Sequence, residues 1–273
     1  MQEPQAWEVH ALVYGAFAGR SRRQSFLSPP DPDDTRPMPV NYYVFALRSA
    51  GRSIVVDAGM DHADAAKHGR KIDRLPKEAL ALLGIDAGTV EDVILTHLHF
   101  DHAGTLDDFP RARFHLQEAE LAYATGRCMT YRQLRDPYDV EQVVRVVRLV
   151  HAGRVRFHDG DSEVAPGVTV HLIGGHAKGL MAVRVWTRRG WMVLAGDVFH
   201  FYENFESHRP FFIVHDVEAA LRGFDRVNEL ADGPDHVVPG HDPLIMARYP
   251  AAAPDLEGVV ARLDLEPAPA PVG

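Results

Sequence analysis

A short string of histidine and aspartate residues is the first feature of the sequence that indicates chemistry. The segment 96–104 reads THLHFDHAG and contains His97, His99, Asp101 and His102. Imidazole and carboxylate groups bind zinc, and also iron, cobalt or manganese, so the string by itself leaves the metal open. An isolated histidine is more often a capping or stacked loop residue. Four ligand types this close together predict a metal site instead.

The spacing within the string predicts where its side chains point. The apolar run 93–95 before it predicts a short buried strand. If His97 and His99 lie at the end of that strand, their two-residue spacing aims both imidazoles to one side, as paired ligands for one metal ion. Asp101 and His102 fall in the turn beyond, where the chain reverses, so they can face a second metal ion.

Three later positions offer the further ligands that two metal ions require. His176 lies in a glycine-rich turn after an apolar run, and Asp197 and His241 each follow the end of an apolar run. Each position alone has an ordinary alternative, such as a turn, a helix cap or a buried histidine. Together they predict two metal ions, with the Asp197 carboxylate placed where it can bridge them.

Hydrophobic patterning predicts the elements that position these residues. Alternating and β-branched apolar runs predict strands, and apolar stripes of helical period predict helices. The predicted strands are 7–14, 41–48, 53–57, 93–95, 113–116, 154–157, 168–173, 181–187, 191–195 and 236–238. The predicted helices are 76–83, 117–125, 141–149 and 216–231. Meandering strands followed by strands interleaved with helices favour the α/β (α+β) class, as an αβ/βα sandwich of two mixed β-sheets flanked by helices.

The same patterning predicts one domain, residues 1–265, and an unstructured tail rich in proline and alanine at 266–273. Residues 28–38 are rich in proline and aspartate and predict an exposed loop. The apolar pattern is lost from 126 to 140, which predicts an irregular insertion that could line a pocket.

Charge, hydropathy and cysteine content indicate which partners and which cellular location to expect. The net charge of −9 disfavours nucleic acid, because phosphate binding needs clustered lysine and arginine. The sequence has no apolar run of about 20 residues and no secretory signal at its start, so we expect no membrane partner and a cytoplasmic location. The single cysteine, Cys128, forms no internal disulfide and is expected to be a bystander. The sequence does not decide whether the protein forms a homodimer.

The ordered ligands resemble those of the metallo-β-lactamase superfamily, whose signature is a His-x-His-x-Asp-His string followed by His, Asp and His at three strand ends. The resemblance spans residues 40–245. It implies the following ligands: for one metal ion His97, His99 and His176, for the other Asp101, His102 and His241, with Asp197 as the bridge. It also implies that Asp57 orients a ligating imidazole. Two divalent ions are expected, with zinc as the first expectation.

Within this superfamily the sequence resembles the N-acyl-homoserine lactonase family. The motifs that carry this resemblance lie at 57–60, 97–104, 203–206 and 239–242. It implies that metal-bound hydroxide opens the ring of an N-acyl-homoserine lactone or a related lactone. The alternatives are another ester, thioester or phosphoester hydrolase on the same metals, as in glyoxalase II, or a metal-binding protein without hydrolytic activity.

Three residues are candidates for catalysis beyond binding the metals. Asp101 is expected to carry a proton during ring opening. The lactonases commonly have a tyrosine where this sequence has His200, so we expect either His200 or Tyr202 to supply the missing donor. Core packing and pocket lining explain the surrounding aromatic residues equally well; these are Phe199, Phe201, Tyr202, Phe205, Phe211 and Phe212.

Overall fold

The computed structural model describes residues 5–268, which form two β-sheets and eight α-helices. The strands are β1 (Glu8–Phe17), β2 (Val40–Ser49), β3 (Arg52–Val56), β4 (Lys71–Ile72), β5 (Asp92–Ile94), β6 (Arg113–Gln117), β7 (Val155–His158), β8 (Ser162–Ala165), β9 (Val168–Leu172), β10 (Met181–Thr187), β11 (Gly190–Gly196), β12 (Val237–Pro239) and β13 (Val260–Arg262). The helices are α1 (His62–Lys67), α2 (Pro76–Ala81), α3 (Glu118–Ala124), α4 (Arg132–Arg135), α5 (Val140–His151), α6 (Tyr202–Ser207), α7 (Val217–Leu230) and α8 (Leu244–Arg248).

Both sheets mix parallel and antiparallel pairs. The first sheet has the order β13-β1-β2-β3-β5-β6-β7, and β4 pairs with β1. Its first strands form an antiparallel meander, whereas β3, β5, β6 and β7 are parallel. The second sheet has the order β12-β11-β10-β9-β8, in which β11 and β12 are parallel. The predicted arrangement of two mixed sheets is confirmed.

Strand β1 shows how the sequence pattern builds the layers. Val9 and Ala11 belong to the core between the two sheets, while Leu12 and Tyr14 belong to the core on the outer face of the first sheet. Successive side chains of a strand point to opposite faces, so a strand that is apolar at nearly every position is buried on both sides. The first sheet is therefore covered on both faces.

Helices cover the outer face of each sheet. On the first sheet, Val143 and Val146 of α5 pack in the same core as Phe114 of β6. On the second sheet, Phe224 of α7 packs in the same core as Val193 of β11. The order helix, sheet, sheet, helix is the predicted αβ/βα sandwich.

Some local features differ from the sequence prediction. Strand β5 ends at Ile94, so His97 and His99 lie in the following loop and not on the strand. Helices α1, α6 and α8 and strands β4, β8 and β13 were not predicted; each has at most six residues, which gives a weak apolar pattern. Residues 126–140 are irregular as predicted, apart from the one-turn helix α4 and a short 3₁₀ turn.

At the C-terminus, residues 269–273 of the predicted tail lie outside the described residues, and the division into one domain and a tail remains a prediction. No helix within residues 5–268 is long and apolar enough to cross a membrane.

Candidate metal centre

The candidate ligands lie in loops that follow strands, and strand pairing brings these loops together. Strands β3 and β5 are parallel neighbours, so the loop from His97 to His102 begins beside Asp57. Strands β11 and β12 are also parallel neighbours, which places Asp197 beside His241. Parallel strands end at the same edge of a sheet, so each pair delivers its side chains to one place.

The loop that carries His176 joins β9 to β10 and packs against α7. Gly175 has a φ of +83°, and a Cβ atom there would lie 2.5 Å from the Cα of Ala220. Only glycine allows both this backbone conformation and this close approach to the helix. The glycine-rich turn therefore sets the position of His176.

The structure brings all seven predicted ligands together. Possible donor atoms lie within 4.8 Å of one another in three groups, which are His97, His99, His176 and Asp197; Asp101, His102 and His241; and Asp197, His200 and His241. The first two groups have the composition that the sequence resemblance implies. The third adds His200.

The Asp197 carboxylate lies between the two histidine groups. Its Oδ2 atom is 3.2 Å from His176 Nε2 and 3.9 Å from His97 Nε2. Its Oδ1 atom is 3.0 Å from His241 Nε2 and 3.4 Å from His102 Nε2. Each oxygen thus faces a different set of imidazoles, which is the geometry of a bridging carboxylate.

Hydrogen bonds on the far side of the rings fix their tautomers. Nδ1 of His176 donates to the Ile213 carbonyl at 2.8 Å, and Nδ1 of His241 donates to the Asn41 carbonyl at 2.8 Å. A carbonyl only accepts, so each neutral ring carries its hydrogen on Nδ1 and directs the Nε2 lone pair at the centre. Such outer hydrogen bonds are typical of metal-ligating histidines.

These lone pairs fit metal cations. Nε2 of His97 and Nε2 of His102 are buried and have no hydrogen-bond partner within residues 5–268. Lone pairs and carboxylate oxygens that face one another in a buried space repel, and a divalent cation bound between them removes this cost. Nitrogen and oxygen donors without thiolate suit zinc, iron, cobalt and manganese.

The charges around the candidate metal ligands shift the pKa values of the histidines in different directions. Burial and the neighbouring imidazoles lower the pKa of His97 well below its ordinary value. Burial also acts to lower the pKa of His102 and of His241. The Asp101 and Asp197 carboxylates outweigh burial there and raise the pKa of both residues. The Asp101 and Asp197 carboxylates therefore favour positive charge at these two rings.

Asp57 has the orienting position that the resemblance implies. Its Oδ2 atom is 2.9 Å from His102 Nδ1, and its Oδ1 atom accepts from the Thr96 backbone N–H at 2.8 Å. The residue has a φ of +64°, a left-handed conformation that aspartate tolerates better than most residues. Asp57 thus joins the end of β3 to the histidine loop.

Glu120 is a residue of the site that sequence reasoning missed. Its buried carboxylate accepts from the backbone N–H groups of Leu98 and Gly179 at 3.0 and 2.8 Å, and from the Tyr138 hydroxyl at 2.9 Å. It therefore joins α3 to both histidine-bearing loops. In the sequence, the one indication of this role is that Glu120 falls on the buried face of a predicted helix. The exposed Glu118 lies two residues away, so the sequence alone does not distinguish the two glutamates.

Comparison with known proteins places the chain in a family. The model of the metallo-beta-lactamase superfamily matches residues 35–241, which is most of the chain. The chain belongs to the metallo-beta-lactamase superfamily. Together with the relatives below, this membership makes it a metal-dependent hydrolase.

Several relatives of this superfamily member are lactonases. An N-acyl homoserine lactonase of Bacillus cereus is 28% identical over 237 residues, covering 80% of this chain and 87% of the relative. A probable metallo-hydrolase of Mycobacterium tuberculosis is 27% identical over 172 residues, covering 58% of this chain and 53% of the relative.

Solved structures share the fold. One quorum-quenching N-acyl homoserine lactone lactonase superposes with a TM-score of 0.71 at 23% identity, covering 89% of this chain and 94% of that one. Another, described as a dizinc quorum-quenching lactonase with a bound product, has a TM-score of 0.68 at 16% identity, covering 89% of this chain and 90% of that one.

His200 and Tyr202, the two residues that could replace the tyrosine of the lactonases, lie in different places in the structure. His200 lines a cavity over the ligands, its Nε2 is 3.2 Å from Asp197 Oδ2, and its ring stacks on Phe211 with centroids 3.4 Å apart. Tyr202 lies in the core between the sheets, and the guanidinium of Arg248 stacks over its ring at 4.4 Å. Helix α6 begins at Tyr202, and the residue is not among those that line this cavity, so the catalytic role of Tyr202 stays a prediction that the structure does not support.

The aromatic stretch divides between core and cavity. Phe199 and Phe201 are fully buried in the core, whereas Phe211 lines a cavity of about 50 Å³ over the ligands. Phe212 lines a larger adjoining cavity of about 360 Å³. The irregular insertion 126–140 forms one wall of this larger cavity, as predicted, through residues that include Leu134 and Tyr138.

Proposed function

We propose that this hydrolase opens lactone rings on a dinuclear metal centre, with N-acyl-homoserine lactones or related lactones as substrates. The observation that carries the proposal is the position of Asp197, whose two oxygens face two separate sets of imidazoles. One carboxylate between two complete donor sets is suited to two ions a few ångströms apart. The lactonase relatives support lactones as the substrate class.

Each donor set has a defined place in this proposal. His97, His99 and His176 would hold one ion, and Asp101, His102 and His241 would hold the other, with Asp197 between them. Zinc is the proposed metal. When bound, two divalent cations polarise the ester carbonyl and make hydroxide available near neutral pH.

Asp101 is the proposed proton carrier. Its carboxylate lines the small cavity and is the most exposed acid of the centre, with 12% of the side chain accessible. Its backbone is held by the Tyr14 hydroxyl, which donates to the Asp101 carbonyl at 3.0 Å. A carboxylate that is fixed yet reaches the cavity can take a proton from the attacking water and give it to the ring oxygen as the C–O bond breaks.

His200 is the proposed second catalytic group. Burial lowers the pKa of His200 well below its ordinary value, so the ring is neutral near pH 7 and keeps one N–H donor. From the cavity wall this donor can hold the Asp197 carboxylate or a substrate oxygen. The stack on Phe211 fixes the plane of the ring.

The test is ring opening by the purified, metal-loaded protein. Proton release is followed with N-butanoyl- and N-decanoyl-homoserine lactone, alongside a thioester and a phosphodiester. We expect lactone turnover that falls by about 10²-fold or more in Asp101→Asn, because proton transfer by a placed group contributes roughly that much. Asp107→Asn is the matched control, since that side chain is 77% exposed. Turnover of another ester by metal-loaded protein, with none of either lactone, would overturn the lactonase proposal.

A further inference from the structure

Two arginines lie where the two cavities meet. Arg20 and Arg70 both line the small cavity over the metal-ligand residues, and both also line the larger cavity beside it. A substrate that occupies both cavities therefore lies beside these two guanidinium groups. Their position therefore bears on which substrates are accepted.

Within residues 5–268, neither guanidinium forms an ion pair with a carboxylate. The Nε atoms of both Arg20 and Arg70 are buried and have no hydrogen-bond partner in that range. Surface arginines lose little by lacking a partner, but a buried donor without an acceptor is costly.

The contacts that the two arginines do make hold them in place. Arg20 donates from Nη1 to the Gln24 carbonyl at 3.1 Å, and its guanidinium lies 4.9 Å from the Phe211 ring centroid and 4.8 Å from that of Phe212. Arg70 lies over Phe17 at 3.8 Å. Stacking on aromatic faces fixes a guanidinium plane and leaves its edge donors available for an anion.

The electrostatics of the junction favour an anion. Burial and then the neighbouring Arg70 lower the pKa of Arg20 to about 10, so it remains charged near pH 7. Two like charges beside one cavity repel, and the Asp101 carboxylate offsets this repulsion only in part, since the pKa of Arg20 is still lowered. An oxyanion bound between the guanidiniums would remove this repulsion and supply the missing acceptors.

We propose that the substrate carries a carboxylate or phosphate group, separate from the bond that is cleaved, and that Arg20 and Arg70 bind this group. This inference rests on the proposed function for the identity of the cleaved bond. It narrows the substrate class from neutral acyl-homoserine lactones to lactones or esters with an anionic substituent close to the reacting carbonyl. Guanidinium groups suit both carboxylate and phosphate, because each offers oxygens that match the two N–H donors of one edge.

The test compares three lactones that differ at one end. N-Butanoyl-homoserine lactone is neutral, whereas the N-succinyl and N-(3-phosphonopropanoyl) compounds place a carboxylate or a phosphonate at the end of the same short chain. We expect kcat/KM for at least one anionic compound to exceed that of the neutral one by about tenfold or more, as one charge-assisted hydrogen bond contributes. Preference for one anion over the other identifies the group. Equal or lower kcat/KM for both anionic compounds would overturn the proposal.

Substitution of each arginine tests whether Arg20 and Arg70 cause the preference for anionic substrates. We expect Arg20→Gln and Arg70→Gln each to lower the ratio of anionic to neutral kcat/KM by about tenfold, and Arg20→Lys to restore part of it because lysine keeps the charge but not the two-donor edge. Arg23→Gln, at an exposed position three residues from Arg20, is the matched control and should keep the ratio. A ratio unchanged in both glutamine variants would contradict the inference even if the anionic compounds are preferred.

A binding measurement keeps this inference separate from the lactonase proposal. If none of the three lactones is hydrolysed, calorimetry with metal-loaded protein compares succinamate with the neutral butanamide, neither of which carries a lactone. We expect succinamate to bind about tenfold more tightly, and this difference to disappear in Arg20→Gln and Arg70→Gln but not in Arg23→Gln. Equal binding of the two amides, or a preference insensitive to both arginines, would overturn the arginine site.

Discussion

Asp57 shows how one residue outside the ligand set controls the metal centre. Its carboxylate contacts the His102 ring and the Thr96 backbone at once, so it fixes both the direction of an imidazole and the start of the loop that carries it. Asparagine preserves the shape and tolerates the left-handed backbone, but it removes the charge that favours the ligating tautomer of His102.

We therefore expect Asp57→Asn to weaken zinc binding by about 10- to 100-fold. Competition with a chromophoric chelator measures the affinity. Asp73→Asn, an exposed aspartate in the same half of the chain, should bind zinc as the unaltered protein does. Unchanged affinity in Asp57→Asn would show that the His102 contact does not orient a ligand.

Residue types and spacing were sufficient to predict the seven clustered side chains, because metal ligands must be histidine or carboxylate and recur at strand ends. Glu120, Arg20 and Arg70 were not predicted as site residues, since their roles depend on contacts between segments far apart in sequence. Tyr202 was predicted as an alternative to His200, but it lies in the core between the sheets. Its distance from Asp197 along the chain is short, but the start of α6 sets the direction of its side chain.

At the scale of elements, α3 acts as the link between two histidine-bearing loops. Its Glu120 carboxylate is buried, accepts two backbone N–H groups and one hydroxyl, and has its pKa raised by burial. Gly179 lies so close to α3 that a Cβ atom there would be 2.3 Å from the Glu120 nitrogen. The helix and both loops therefore depend on one another for position.

We expect Glu120→Gln to lower the free energy of unfolding by roughly 1–3 kcal/mol, because the amide NH₂ faces a donor where an oxygen had accepted. Denaturant unfolding of the metal-loaded protein measures this change. Glu118→Gln, on the exposed face of the same helix, should change the stability by less than about 0.5 kcal/mol. Equal stabilities of the two variants would mean that the carboxylate does not hold the loops.

The long elements were predicted closely, whereas several of the short ones were missed. Strand β10 and helices α5 and α7 have several repeats of their apolar pattern, so their ends fall within one or two residues of the prediction. Strands β4 and β13 have two and three residues, and their pairing with β1 exists only in the folded chain.

At the scale of the whole molecule, buried histidines link stability to pH. Burial and then the charge of Arg262 lower the pKa of His10 from its ordinary 6.5 to about 4. The unfolded chain therefore binds a proton between these two pH values and the folded chain does not. The stability that His10 contributes is complete above pH 6.5 and is lost as the pH falls from 6.5 towards 4.

We expect the free energy of unfolding to decrease in this window, with a contribution from His10 of at most about 1.4 kcal/mol per pH unit. His10→Gln should reduce that slope, because glutamine does not titrate. His151→Gln, at an exposed position, is the matched control. Denaturant unfolding between pH 4.5 and 7.5 gives the slopes, and a slope that His10→Gln leaves unchanged would contradict this assignment.

The overall architecture followed from the sequence because runs of apolar residues predict meandering strands first and then strands interleaved with helices. What patterning could not provide is how the two sheets align their strand ends, which is why the two cavities and their arginines emerged only from the structure. Two parallel strand pairs, one in each sheet, converge on the same centre.

The most direct test of a dinuclear hydrolase is a zinc titration of metal-free protein in which bound zinc and lactone turnover are measured in the same samples. We expect turnover to rise until two zinc ions are bound per chain and then to stay constant, because the Asp197 carboxylate joins two complete donor sets. Full turnover with one bound zinc, or two bound zinc ions without turnover of any lactone, would contradict the proposed mechanism.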